Sequence, residues 1–247
     1  MKNHLHRHHI DETDNDGIDR RGFLECMAWA GTGVLWMMSG GILKSYGMSQ
    51  MIDKATGNLK KGLIVPTSDF SFVQISDSHI GFNKHANTDV VGTLKATIDK
   101  INQMPSRSSF VLHTGDLTHL AQAEEFDTLE QSLKSVKTEK IFYVPGEHDV
   151  TDNGKLYLER YGKGTNGDGW YSFDSNGVHF IGLVNVTNQV DGGLGYLGAD
   201  QLKWLEADLK SLTDSTPIIL YLHIYQCGPY IRSGAGAQRI ARRHYHC

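Results

Sequence analysis

The chain has 247 residues, with 24 basic against 28 acidic side chains and a formal net charge of -4. That length buries the core of one large domain or of one domain behind a leader, and the charge balance argues against a nucleic-acid scaffold binder, which would carry a basic stripe. With 39% hydrophobic residues the chain is not disordered throughout, and its three cysteines, Cys26, Cys227 and Cys247, leave the long middle without a disulfide framework or zinc knuckle and predict no disulfide partner.

Residues 1–41 read as a leader. A polar stretch ends in Arg20-Arg21, followed by Gly22-Phe23-Leu24 and an apolar run from Cys26 to Met38. The run is too short and too glycine-rich for an ordinary membrane span. It fits a secretory h-region behind a charged n-region, and the arginine pair with Phe23 and Leu24 resembles a twin-arginine export signal. That predicts a periplasmic or otherwise exported protein and the Tat machinery as a partner. The run lacks an A-x-A cleavage site, so an uncleaved membrane anchor stays open. The opposing reading is an amphipathic helix with a chance arginine pair. His4, His6, His8 and His9 could bind metal, or form a solvated tip.

Residues 42–68 are polar and mixed and read as a linker. From Asp69 strands and helices alternate. "FSFVQIS" predicts a strand and "NTDVVGTLKATIDKINQM" an amphipathic helix. "SSFVLHTGD" is a buried strand, "AQAEEFDTLEQSLKSVK" a second helix and "KIFYVPGEHD" a third strand. "GWYSFDSNGVHFIGLVNV" predicts a hairpin turning at Ser175-Asn176-Gly177. "GADQLKWLEADLKSL" predicts a helix with Leu202, Leu205 and Leu209 on one face, and "TPIILYLHI" a buried strand. The alternation predicts a layered α/β domain with antiparallel character from the hairpin.

Each core strand runs straight into polar residues. The first ends in Asp77-Ser78-His79 and the second in Gly115-Asp116-Leu117-Thr118-His119. The third ends in Gly146-Glu147-His148-Asp149, and the last delivers His223. In open α/β sheets the ligand site lies beyond the carboxyl ends of the strands. Carboxylate plus imidazole is a ligand set for Mn, Fe or Zn rather than a thiolate site, and Gly115 and Gly146 suit tight turns. Any one of these motifs is weak, since Asp77 alone could cap a helix and His223 alone could be a core histidine. Their order and common placement carry more weight.

This series resembles the calcineurin-like metallophosphoesterase superfamily, whose relatives include purple acid phosphatases and cyclic-nucleotide phosphodiesterases, over about residues 69–225. The resemblance implies a layered αββα sandwich, incomplete at the C-terminus, and a phosphate-ester substrate. It implies two divalent or trivalent metal ions (Mn, Fe or Zn) and no other cofactor. Asp77 and His79 would bind the first metal, Asp116 would bridge both and His223 would bind the second. His148 would be the general acid or would assist the phosphate's charge, and Asp149 would orient it. Two cations roughly 3.5–4 Å apart can activate a shared water and clamp phosphate oxygens.

Two departures from the family matter. Glu147 stands where the family usually has Asn. It either ligates with an added negative charge or turns away and weakens a metal position, and ligation is the expectation. His119, at a variable position, either contacts substrate or metal-bound water or lies on the surface. The family also expects a Gly-His-x-His turn well beyond the His223 strand, and the chain has none. His244 and His246 have similar spacing without the preceding strand. Shifted by one base, plausible codons for Cys227 to Gly236 can read as a Trp- and Gly-rich loop, so residues 225–247 read as a frameshifted tail and hydrolysis by this chain as impaired. The rival class is a non-catalytic exported protein with a vestigial or structural metal site. An amidohydrolase would need a longer barrel and a His-x-His on its first strand. Lys155, Arg160 and Lys163 either shape the pocket or only flank a connection.

Overall fold

The computed structural model describes residues 33–39, 42–47, 51, 53, 56, 60, 70–187, 189–190 and 194–224. Two antiparallel strands, β1 (Val34–Ser39) and β2 (Ile42–Gly47), come first. They are followed by β3 (Phe70–Ile75), α1 (Val90–Asn102), β4 (Val111–His113), α2 (Ala123–Leu133) and β5 (Ile141–Tyr143). A short 3₁₀ turn at Glu147–Val150 leads into α3 (Lys155–Tyr161). The second half contains β6 (Tyr171–Ser175), β7 (Val178–Gly182), a two-residue pair β8 (Gln189–Val190) and β9 (Leu194–Gly195), α4 (Ala199–Lys210) and β10 (Ile218–Tyr221). One sheet has the order β2-β1-β3-β4-β5 and another β10-β7-β6. The parallel run β3-β4-β5 sends its three carboxyl ends to one rim.

Strand alternation produces the layers. Val73, Ile75 and Val111 face the core shared with Leu94 and Ile98 of α1, Phe126 and Leu129 of α2, and Tyr157 of α3. Their neighbours Phe70, Phe72, Phe110 and Leu112 face the second sheet, where they meet Val178, Phe180 and Tyr221. That inter-sheet layer is aromatic, with Phe72 stacked on Phe110 at 5.1 Å and edge-on to Phe180 at 5.3 Å. Ile181 and Leu183 turn the other way, onto Leu205 of α4. Helices, five-stranded sheet, three-stranded sheet and helix thus form the expected αββα layering.

Local chemistry explains the element ends. Asp89 caps α1 by accepting from Gly92 N at 2.7 Å. Glu125 folds back to accept from Leu120 N and Gln122 N at the start of α2. Asn176 and Gly177, both at positive φ (51° and 76°), make the two-residue turn between β6 and β7.

The structure differs from expectation in three places. Residues 34–39 and 42–47, read as the end of the leader and the start of the linker, are strands. Leu35 and Met37 face the helix-side core, whereas Met38, with Trp36 beside it, faces the inter-sheet layer. An apolar run of this kind serves a strand as well as an h-region. On α4, Leu205 is buried but Leu202 is 49% exposed. The buried face turns toward Gln201, whose amide accepts from Val184 N and donates to Val184 O at 2.8 and 2.7 Å. On β10, Ile218 and Leu220 are 46% and 43% exposed, because this strand is an edge of its sheet among the described residues. Tail residues 225–247, with His244 and His246, lie outside the described residues, as do Arg20 and Arg21. Among the described residues no helix is long and apolar enough to cross a membrane.

His179 ties α4 to β7. Its Nδ1 lies 2.7 Å from Asp174 Oδ1 and its Nε2 2.8 Å from Asp208 Oδ2. Burial disfavours the imidazolium, but Asp208 and Asp174 outweigh it and raise the pKa. The folded pKa exceeds the unfolded one, so this stabilisation is complete below the unfolded value of about 6.5 and fades as pH rises through the folded value. His179→Gln is expected to cost about 1–2 kcal/mol at pH 6 and progressively less toward pH 9 by urea unfolding. A penalty independent of pH would refute the charged clamp.

Candidate metal centre

Past the end of β3, residues 77–80 run beside residues 115–118. Asp77 N donates to Gly115 O at 2.9 Å, His79 N to Asp116 O at 3.0 Å and Ile80 N to Leu117 O at 3.1 Å. Asp77, His79 and Asp116 all take left-handed φ, at 59°, 40° and 49°. Strain of this kind persists only where the surroundings impose it, and here it brings three side chains together. Glycine is required at both turns. A Cβ on Gly115 would strike the His223 ring, and one on Gly146 would strike the Asp116 carboxylate.

Asp116 is 1% exposed and central. Its Oδ2 lies 3.4 Å from His79 Nε2 and 3.3 Å from His223 Nε2. Its Oδ1 accepts from His148 N at 3.1 Å. Asp77 Oδ1 lies 3.9 Å from His79 Nε2, and Glu147 Oε2 lies 3.1 Å from His223 Nε2. Asp77, His79 and Asp116 offer ligand atoms within 4.8 Å of one another, as do Asp116, Glu147 and His223. The two groups share Asp116. Asp116 Oδ2 and Glu147 Oε2 are buried atoms that accept no hydrogen bond. Carboxylate oxygens in that condition are costly unless a cation meets them, so the donor set fits hard or borderline cations.

The imidazoles are set for ligation. His223 Nδ1 lies 2.7 Å from Thr114 O. A carbonyl only accepts, so Nδ1 carries the hydrogen and Nε2 faces Asp116 and Glu147. Burial lowers the His79 pKa to about 4 despite the pull of Asp116, leaving a neutral ring. At His223 burial opposes charge, but Asp116, then Glu147 and Asp77, raise the pKa well above its ordinary value. Burial pushes the Asp116 carboxyl up, yet His223 and His79 together hold it below the usual carboxylate range. This is the electrostatic signature of an anionic cradle.

The expected His148–Asp149 contact is absent. His148 Nδ1 donates to His119 O at 2.6 Å instead, leaving Nε2 as the ring's other functional atom. Asp149 staples two loops. It accepts from Leu117 N at 3.0 Å, from Thr118 N and Thr118 Oγ1, both at 2.8 Å, and from Gly146 N at 2.9 Å. Burial, then the Asp116 charge, push its carboxyl up to about 7, while the backbone donors pull the other way. The staple sets the Asp116 turn against the Glu147 turn, so Asp149 positions both without touching the His148 ring. His119 is buried, not on the surface, with its ring stacked on His148 at 4.8 Å.

Sequence reasoning missed Asn185. Its amide bonds both sides of the main chain at Ile224, donating to Ile224 O at 2.7 Å and accepting from Ile224 N at 3.3 Å. That clamp holds the residue after His223. Arg160 pairs with Asp127 and Glu130 of α2, at 2.7 and 3.1 Å, and so braces α3 rather than the centre.

Fold and centre define a layered α/β protein with a carboxylate–imidazole cluster at its strand ends. The chain belongs to the calcineurin-like phosphoesterase family, which residues 70–233 match. It is 26% identical over 161 residues to a "Probable glycerophosphodiester phosphodiesterase GpdQ" of Arcobacter nitrofigilis, covering 61% of this chain and 55% of that protein. It is 31% identical over 160 residues to a "Probable cyclic nucleotide phosphodiesterase" of Vesicomyosocius okutanii, covering 63% and 61%. The chain thus spans 55% and 61% of the length of these two relatives. A yellow lupin purple acid phosphatase aligns with a TM-score of 0.42 at 12% identity, covering 76% of this chain and 45% of that one.

Asp149→Asn would turn an amide NH₂ toward N–H or O–H donors. The expected loss is about 2–4 kcal/mol in urea unfolding at pH 8. Unchanged stability would return Asp149 to a role at the His148 ring alone.

Proposed function

We propose that the chain hydrolyses phosphate esters at a centre of two metal ions. The observation that carries this reading is the convergence of His79 Nε2 and His223 Nε2 on the Asp116 carboxylate, whose buried Oδ2 accepts no hydrogen bond. In this reading Asp77 and His79 would hold one ion, Glu147 and His223 would hold the other, and Asp116 would serve both. The ions, of Mn, Fe or Zn type, would supply Lewis acidity toward phosphate oxygens and water.

The protein side chains do the rest. His148, fixed through Nδ1 by the His119 carbonyl, delivers a proton from Nε2 to the departing ester oxygen or supports the charge on phosphate. The His119 ring packs against His148 and Phe82 and limits the swing of that imidazole.

Protein stripped of metal and reloaded with Mn²⁺ should hydrolyse p-nitrophenyl phosphate esters at a low but measurable rate, in keeping with the impairment expected from the sequence. Asp116→Asn should lower kcat about 10³-fold, and His148→Ala about 10²–10⁴-fold, with far-UV circular dichroism unchanged. Full turnover in excess chelator would overturn the reading.

We further propose export by the twin-arginine route, supported by Arg20-Arg21 ahead of a weakly apolar run. Val34–Ser39, at the end of the apolar run, packs as a strand, and cleavage after that run would remove it, which supports an uncleaved leader. Replacing both arginines with lysine should hold the protein in the cytoplasm. Export of the double variant at the normal level would refute the route.

A further inference from the structure

We propose that Glu147 selects substrate by charge, favouring phosphodiesters with one negative charge over phosphomonoesters with two. The proposal rests on the two-ion reading above. Its starting point is the charge balance of the centre. Among the described residues Asp77, Asp116 and Glu147 contribute three negative charges, and ligating imidazoles are neutral. Two divalent ions contribute four positive charges and leave a net charge of one. A bound diester monoanion neutralises that remainder while the attacking oxygen is still water. A monoester near neutral pH, with its second pKa at about 6, leaves excess negative charge beside buried carboxylates, where charges interact strongly.

Glu147 is the member of the trio that makes the difference. Asp77 and Asp116 lie in the strained, interlocked turns that build the centre. Glu147 extends from the first position of the 3₁₀ turn, with its side chain 33% exposed, at the open side of the cluster. Its Oε2 is nevertheless buried and accepts no hydrogen bond. Among the described residues Glu147 pairs with His223 and with no lysine or arginine. Its charge, met among the described residues by His223 alone, opposes an incoming phosphate. A neutral oxygen donor there would keep a ligand and leave the centre one charge more positive.

The test compares Glu147→Gln, which keeps size and an oxygen, with Glu147→Asp, which keeps the charge. With Mn²⁺ at saturation, kcat/KM is measured for bis(p-nitrophenyl) phosphate and p-nitrophenyl phosphate. Inorganic phosphate binding to the Mn²⁺-loaded protein is measured by calorimetry, as is Mn²⁺ affinity. Glu147→Gln should raise the monoester-to-diester ratio about 10-fold, tighten phosphate about 10-fold and weaken Mn²⁺ about 10-fold. Glu147→Asp should keep the wild-type ratio and phosphate affinity. A Gln variant that binds Mn²⁺ yet leaves the ratio and phosphate affinity within about twofold of wild type overturns the selector alone. If Gln and Asp shift both readouts equally, shape and not charge is at work, and the selector is also overturned. Wild-type protein that binds no Mn²⁺ removes the two-ion reading, and the selector with it.

Discussion

The structure turns on one carboxylate. Asp116 is buried at the end of a central strand, with one oxygen fixed by the His148 main chain and the other between two imidazoles. A buried carboxylate is expensive unless its charge is met. Much of the surrounding architecture meets or aims that charge. Glycines at 115 and 146 clear space for His223 and for the carboxylate itself. Asp149 locks the two loops together from behind. Asn185 pins the chain just after His223.

The αββα layers provide the stiffness this arrangement needs. Phenylalanines from both sheets interlock between them, so the strand ends cannot drift independently. Close-packed aromatic layers tolerate little displacement. Left-handed backbone at Asp77, His79 and Asp116 survives because main-chain bonds between the two loops hold it.

Much of this was legible in the sequence. Helical spacing marked α1 and α2, and polar residues following apolar strands marked Asp77, His79, Asp116, Glu147, His148 and His223. Four kinds of feature were hidden. The partner of His148 is a backbone carbonyl, which every residue owns, so no side-chain motif announces it. Val34 to Met38 are apolar in a way that suits a signal or a strand, and their pairing with β3 rests on residues more than thirty positions away, which the run itself does not announce. The exposure of Ile218 and Leu220 depends on what lies beside an edge strand, and periodicity within that strand says nothing about it. Gln201 and Asn185 were overlooked for a related reason, since buried amides that satisfy main chain look like ordinary surface polar residues in a sequence.

The proposed two-ion centre requires Asp116 Oδ2 to be shared by both cations. Anomalous diffraction from crystals of the Mn²⁺-loaded protein tests it most directly. Two peaks roughly 3.5–4 Å apart are expected, one beside Asp77 and His79 and one beside Glu147 and His223, with Asp116 between them. A single peak, or peaks located at His119 and His148 and away from Asp116, would contradict it.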